Sequence, residues 1–195
     1  MEANVSKYTN AVCTIKQAIL QSQYRAAKLV TGEQLSLYFG IGGYVSANSR
    51  EGTWGTGAID RISEQLRREL PGLRGFSATS IKKMRTFYEF WCQYINRPPM
   101  AVDLQTTEDK AVIDIDSFAL QKWSPLAAEI NRAEFLSVSF SHHTEILDKT
   151  KDIHEVLFYI HQTVLHKWDK YDLRDRLKSG LFKQQQSAMN NFIQT

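Results

Sequence analysis

Several groups of residues in this 195-residue chain have types and spacings that could do chemistry. The first is acidic. Asp103 followed by Glu108-Asp109-Lys110 has the order of a nuclease site, in which carboxylates and a lysine hold a divalent ion against a phosphate. Such a site needs its groups on adjacent strands of a β-core. The segment "VDLQTTEDK" offers no strands to build one and reads as an acidic loop, so no catalysis is expected there. The five histidines all lie between His142 and His166. "SHHTE" is not a His-Glu-x-x-His metal motif, and His154 and His161, seven apart on one helix face, are too far apart to share a metal without other ligands. Capping or core hydrogen bonding is the expected role of His142; Ser141 beside it carries no assigned role. Gly40, Gly42 and Gly43 lack the Gly-Lys-Ser/Thr and the preceding strand of a phosphate loop, and are read as sites of close helix packing. Cys13 and Cys92 have no metal-type spacing and read as buried, reduced thiols. No cofactor is expected.

The remaining candidate is cationic. Net charge is only +3, but it is unevenly spread. Between Arg61 and Arg85 seven cations face two acids, whereas residues 98–147 hold eight acids and three cations. A polyanion would be drawn to the first segment and repelled by the second. Within the first, "GFSATSIKKMRTFYEFW" (75–91) sorts cleanly at about 100° per residue. Met84, Phe87, Tyr88, Trp91, Cys92, Tyr94 and Ile95 fill one continuous arc with Ile81, which assigns the aromatics to the core rather than to base stacking. The other arc holds Thr79, Lys82, Arg85, Thr86, Glu89 and Gln93, with Lys83 and Phe90 at its edge. A rigid helix with one polar strip near its N-terminus is the build of a recognition helix, whose short polar residues touch bases and whose cations touch phosphates. It is equally the build of an amphipathic helix with a solvated strip, and the pattern alone favours neither.

Helices must position these groups. Apolar residues recur at helical spacing from Tyr8 to Ala26; Gly32 is expected to interrupt, and a second helix runs through "EQLSLYFGIGGYVSAN". "NSREGTWGTG" reads as a loop. Ile59, Ile62, Leu66 and Leu70 mark a helix that Pro71-Gly72 stops, and Ser77 caps the next one. Residues 58–94 thus read helix, short turn, helix. Asn96-Arg97-Pro98-Pro99 ends the unit, and "AVIDID" in the 97–117 loop is a candidate strand or wing. Helices are expected again at about 125–136, 141–149, 152–167 and 170–182, the last two forming a second helix–turn–helix-like pair. Phe158, Ile160, Val164 and Leu165 mark the third of these as core. In the fourth, Lys170, Arg174, Arg176 and Lys178 alternate with Asp169, Asp172 and Asp175, which points to ion pairs on a solvated face.

The central block resembles the N-terminal domain of YhcG-type bacterial proteins. The features that carry the resemblance are Trp54-Gly55, Ile62-Ser63, Leu70-Pro71-Gly72, Gly75-Phe76-Ser77 and Met84-Arg85-Thr86-Phe87-Tyr88. Downstream, Phe140-Ser141-His142, Phe158-Tyr159, Trp168-Asp169 and Leu173 continue it, so that it spans about residues 14–183. Two positions depart from the pattern: Ser80 stands where the family has asparagine, and Phe140 where it has tryptophan. The resemblance implies a DNA-binding role and, in a longer form of the protein, a following PD-(D/E)XK nuclease domain. It also implies that the 195 residues themselves lack nuclease activity.

The sequence therefore leads to an all-α protein: one helical domain over 1–183, and a polar tail or linker over 184–195. It would be a non-catalytic module that binds DNA through Arg67, Arg68, Arg74, Ser77, Thr79, Ser80, Lys82, Lys83, Arg85 and Thr86. The alternative is a helical domain that forms a homodimer or docks a protein partner. No signal peptide or membrane-spanning run is present, which leads to the expectation of a cytoplasmic protein with no membrane partner.

Overall fold

The structure is a computed structural model, and it describes residues 27, 29–50, 54–72, 74–95 and 130–193, the side chains of 188–193 excepted. These residues form eight helices and no strand. They are α1 (29–50), α2 (Ala58–Glu69), α3 (Ala78–Trp91), α4 (Arg132–Ser137), α5 (Phe140–Leu147), α6 (Ile153–His166), α7 (Lys170–Ser179) and α8 (Leu181–Ile193). None of the described helices is long and apolar enough to cross a membrane. The helix expected from 8 to about 30 lies outside the described residues up to 26, and Cys13, the 97–117 loop with Asp103, Glu108, Asp109, Lys110 and "AVIDID", and residues 125–129 lie outside them as well.

α3 is the centre of the packing. Its Phe87 and Trp91 are fully buried, together with Leu35 and Phe39 of α1, Phe135 of α4, Ile146 of α5 and Tyr159 of α6. Phe135 lies edge-on to Trp91 at 4.8 Å and stacks on Phe87 at 6.2 Å. Burying an aromatic of this size contributes about 2–3 kcal/mol of transfer free energy. A second, smaller cluster of Val45, Ile59 and Ile81 joins α1, α2 and α3.

α1 reaches α3 through its glycines. A Cβ on Gly42 would lie 2.1 Å from the carbonyl oxygen of Met84, and one on Gly43 would meet the Tyr88 ring at 2.9 Å. The two backbones touch because no side chain stands between them. Gly32 does not interrupt α1, contrary to expectation: residues 29–50 are helical throughout. A mid-helix glycine costs about 1 kcal/mol against alanine. The buried face that Leu35, Phe39 and Val45 supply outweighs that cost.

Two expectations about the C-terminal half need correction. The buried face of α6 is Val156, Tyr159, Ile160 and Thr163, at steps of three and four; Phe158 and Val164 are half-buried and Leu165 is 59% exposed. The expected helix at 170–182 is two helices, because Gly180 takes the left-handed conformation (φ 66°) as the C-terminal cap of α7. The polar segment 184–193 continues as helix α8.

The cations of α7 also pair differently. Arg174 and Lys170 reach across to Glu145 of α5, at 2.8–3.0 Å and 3.2 Å. Only Lys178 pairs along its own helix, with Asp175 at 3.7 Å. The Arg174 guanidinium, with Lys170 beside it, holds the Glu145 carboxyl down at about 2. Glu145 itself is buried, but Lys170 and Arg174 keep 42% and 36% of their side chains in solvent, which screens the attraction. Glu145→Gln is therefore expected to lower stability at pH 7 by about 1–2 kcal/mol. The contribution is complete above pH 4.5 and is lost as pH falls towards 2. Urea unfolding at pH 7 and pH 3 checks this: the gap between wild type and variant narrows at pH 3.

Candidate nucleic-acid interface

α2 ends because Pro71 cannot continue it and Gly72 turns left-handed at φ 88°. Gly75, also left-handed (φ 89°), brings the chain under the Tyr38 hydroxyl. Ser77 then caps α3, its hydroxyl accepting from the Ser80 amide at 3.2 Å. The turn is pinned to α2 by Ser63, whose hydroxyl donates to the Phe76 carbonyl at 2.9 Å. The start of α3 is thus tied to α2 through the Phe76 carbonyl and capped by Ser77. α3 has no freedom to roll, since Ile81, Met84, Phe87, Phe90 and Trp91 are all buried. Phe90 belongs to the core, not to the edge of the polar arc.

The ten candidate contact residues fall into two sets. The first already has partners within the protein. Lys83 bonds Asp148, the C-terminal cap of α5, at 2.7 Å, and Arg68 bonds Glu64 of its own helix at 2.7 Å. Arg85 is mostly buried; its Nη1 donates to Ser49 at 3.0 Å, and its Nε lies 3.9 Å from Glu89. The Thr86 hydroxyl donates to the Lys82 carbonyl one turn back. Ser77 and Ser80 bond each other at the cap. Lys82 is intermediate: half-exposed, with Asp60 at 3.6 Å. The second set is open. Arg67, Arg74 and Thr79 are exposed, and neither arginine makes an ion pair among the described residues. Arg67 and Arg74 line a polar cleft of about 230 Å³ with Ser63, Gly75, Phe76 and Ser77. A second polar cleft, of about 460 Å³, opens at the other end of the α2–α3 seam between Trp54, Asp60, Lys82 and Arg85.

Sequence reasoning missed a group beside the second cleft. Arg50, at the end of α1, clasps Glu89 with two parallel bonds of 2.9 and 3.0 Å, and the Ser46 hydroxyl donates to the same carboxylate at 2.9 Å. The Arg50 bond, more than any other contact, holds the Glu89 carboxyl below its ordinary range, and Glu89 in turn raises Arg50. Spacing gives the Arg85–Glu89 pair, four apart on one helix. Nothing in the sequence gives Arg50, 39 residues away.

The histidines serve the fold. In its neutral form His142 donates from Nε2 to the Trp168 carbonyl at 3.1 Å and accepts at Nδ1 from Ser139 at 2.6 Å, tying the start of α5 to the α6–α7 turn. Ser141 completes this knot through Ser139, at 2.9 Å. His143 is buried against Phe87, Trp91 and Phe135 and bonds the Phe135 carbonyl at 3.0 Å. His161 faces Glu134 at 3.1 Å. No group of three or more His, Cys, Asp or Glu among the described residues is arranged to hold a metal. Cys92 is a free, half-buried thiol, and burial raises its pKa.

Comparison with known families gives one match: the family model described as the DUF1016 N-terminal domain covers residues 14–184. Comparison with curated proteins and with solved structures gives none. The chain belongs to the DUF1016 N-terminal domain family, in agreement with the YhcG-type resemblance of its central block.

Proposed function

We propose that this member of the DUF1016 N-terminal domain family is a non-catalytic module that binds DNA through the α2–turn–α3 unit, and that in a longer protein it brings a nuclease half to its substrate. The observation that carries the reading is the pair Arg67 and Arg74, exposed and without an ion pair among the described residues, lining one polar cleft beside the Ser77 cap of α3. Exposed arginines suit a phosphate backbone, because no ion pair among the described residues has to be broken to present them. Lys82 extends the basic line along α3, and Thr79, exposed one turn before it, is the residue offered to a base edge. Lys83 and Thr86 leave the contact set, since their polar groups are turned onto the protein, and Arg68 ranks below Arg67 and Arg74 because Glu64 partly neutralises it at the surface.

An Arg67→Ala/Arg74→Ala variant tests this by gel shift on a duplex at two salt concentrations. Both side chains are exposed, so folding is preserved. Binding is expected to weaken on every duplex sequence, with the log–log salt slope reduced by about 2. An unchanged slope removes the two arginines from the interface.

One observation favours a second reading, a protein-docking or dimerisation domain. An apolar cleft of about 590 Å³ lies between α1 and α2, lined by Ile41, Tyr44, Trp54, Leu66, Leu70 and Phe76, with Leu70 51% exposed at its lip. Light scattering separates the readings: a salt-insensitive dimer that shifts no DNA belongs to the second.

A further inference from the structure

The Arg50–Glu89 clasp has the chemistry of an occupied anion site. A guanidinium fork closes on both carboxylate oxygens, a serine hydroxyl adds a third bond, and a second guanidinium, Arg85, stands 3.9 Å away. The Arg85 Nε is buried without a hydrogen-bond partner, so the seat has an unused donor. Arginine forks bind carboxylate and phosphate with the same planar geometry. Glu89 is held by its side chain alone, on the polar arc of α3, and keeps 30% of that side chain in solvent, while Arg50 keeps 62%. A change of rotamer takes the carboxylate out of the seat without moving the helix. The seat also adjoins the cleft that Lys82, Arg85 and Ser49 line, on the arc already proposed to face DNA.

We propose that Arg50, Ser46 and Arg85 form a phosphate seat for the nucleic-acid backbone, and that Glu89 occupies it in the free protein as an internal counter-ion. This rests on the DNA-binding reading and deepens it, adding Arg50 and Ser46 to the interface and giving Glu89 a restraining role. Without Glu89, the free protein would offer two uncompensated guanidinium groups beside Lys82 and Asp60. With it, DNA must displace a carboxylate that is already well bonded, which lowers affinity for any weakly matched duplex.

Glu89→Gln tests the idea by gain of function. On a 20-base-pair duplex at 50 mM salt the variant is expected to bind about three- to tenfold more tightly than wild type, with a salt slope steeper by about 1. Asp175→Asn is the control for net charge, since Asp175 lies on α7, which does not pack against α3. It should change affinity by less than twofold. In a double-mutant cycle the gain from Glu89→Gln should vanish when Arg50→Ala is added, because the gain passes through that fork. Helical circular dichroism confirms that each variant is folded. If wild type binds the duplex and Glu89→Gln behaves like Asp175→Asn, the seat is overturned and the DNA reading stands. A gain that persists in Arg50→Ala also overturns the seat. If neither wild type nor Glu89→Gln binds, both fall.

Discussion

Gly42→Ala is expected to remove more than about 3 kcal/mol of stability, a large share of what a domain of this size holds. The added methyl would sit 2.1 Å from the Met84 carbonyl oxygen, 2.7 Å from the Met84 carbonyl carbon and 2.8 Å from the Tyr88 Cβ. Two of those atoms are backbone and the third is rooted on it, so no rotamer change relieves the contact. α1 must instead lift away from α3, which loosens Phe39 against Phe87 and Tyr88. Two neighbouring glycines calibrate the claim. At Gly43 the methyl meets the edge of the Tyr88 ring, which can tilt, so Gly43→Ala should cost about 1 kcal/mol. At Gly32 nothing lies within 4 Å and the backbone is helical, so Gly32→Ala should stabilise by about 0.5–1 kcal/mol. Thermal melts of the three variants give the order directly. At about 2–4 °C per kcal/mol, Gly42→Ala should melt near 10 °C below wild type. Equal melting temperatures for Gly42→Ala and Gly32→Ala would contradict the close helix contact.

Acid is expected to destabilise the protein well above the pH at which its carboxylates titrate, and His143 is the reason. Burial in the aromatic core lowers its pKa from 6.5 to about 4, although its bond to the Phe135 carbonyl works the other way. Its Nδ1 is buried without a hydrogen-bond partner, and protonating that nitrogen would place a charge among Phe87, Trp91 and Phe135. The sign follows from the two states. Above pH 6.5 the ring is neutral both folded and unfolded, and costs nothing. Between pH 6.5 and about 4 the unfolded chain takes up a proton that the folded chain refuses, so stability falls with pH. The full loss is about 3 kcal/mol by pH 4. His143→Leu removes the titrating group. Whatever its stability at pH 7, its unfolding free energy should fall less steeply from pH 6.5 to 4, by about 1 kcal/mol per pH unit. An identical pH slope in both proteins would show that His143 is not held neutral.

The sequence was most readable where one element decides its own structure. The Ser77 cap, the Pro71-Gly72 stop and the apolar arc from Ile81 to Ile95 all follow from local spacing, and all are present. The close-packing glycines were legible because a glycine pair on an apolar helix face has little other use. What stayed hidden is long-range. Lys83 meets Asp148 across 65 residues, and Arg50 meets Glu89 across 39, so the true openness of the polar strip depends on how α1 and α5 dock on α3. The same limit applies to α7, where alternating charges suggested pairs along the helix and the buried Glu145 captured two of the cations instead. Leu165 belongs to the apolar run of α6 but lies on the far side of the helix from Val156, Tyr159 and Ile160, which leaves it exposed. Gly180 could have been read: lysine in the last turn followed by glycine is a helix-stop signal.

Of the ten contact candidates, the structure leaves Arg67, Arg74 and Thr79 exposed and Lys82 half-exposed, ties Lys83 to Asp148 and Thr86 to the Lys82 carbonyl, and pairs the exposed Arg68 with Glu64 on its own helix. That division sharpens the account from a basic helix to three specific cations, and it makes the salt dependence of binding a number. Each phosphate neutralised contributes about 0.9 to the slope of log K against log salt. Titrating sodium chloride against the wild-type protein on a duplex is therefore the most direct test. Contacts from Arg67, Arg74 and Lys82 predict a linear fall with a slope of about −3. Absence of binding at 50 mM salt, or binding whose affinity does not change with salt, would contradict the account.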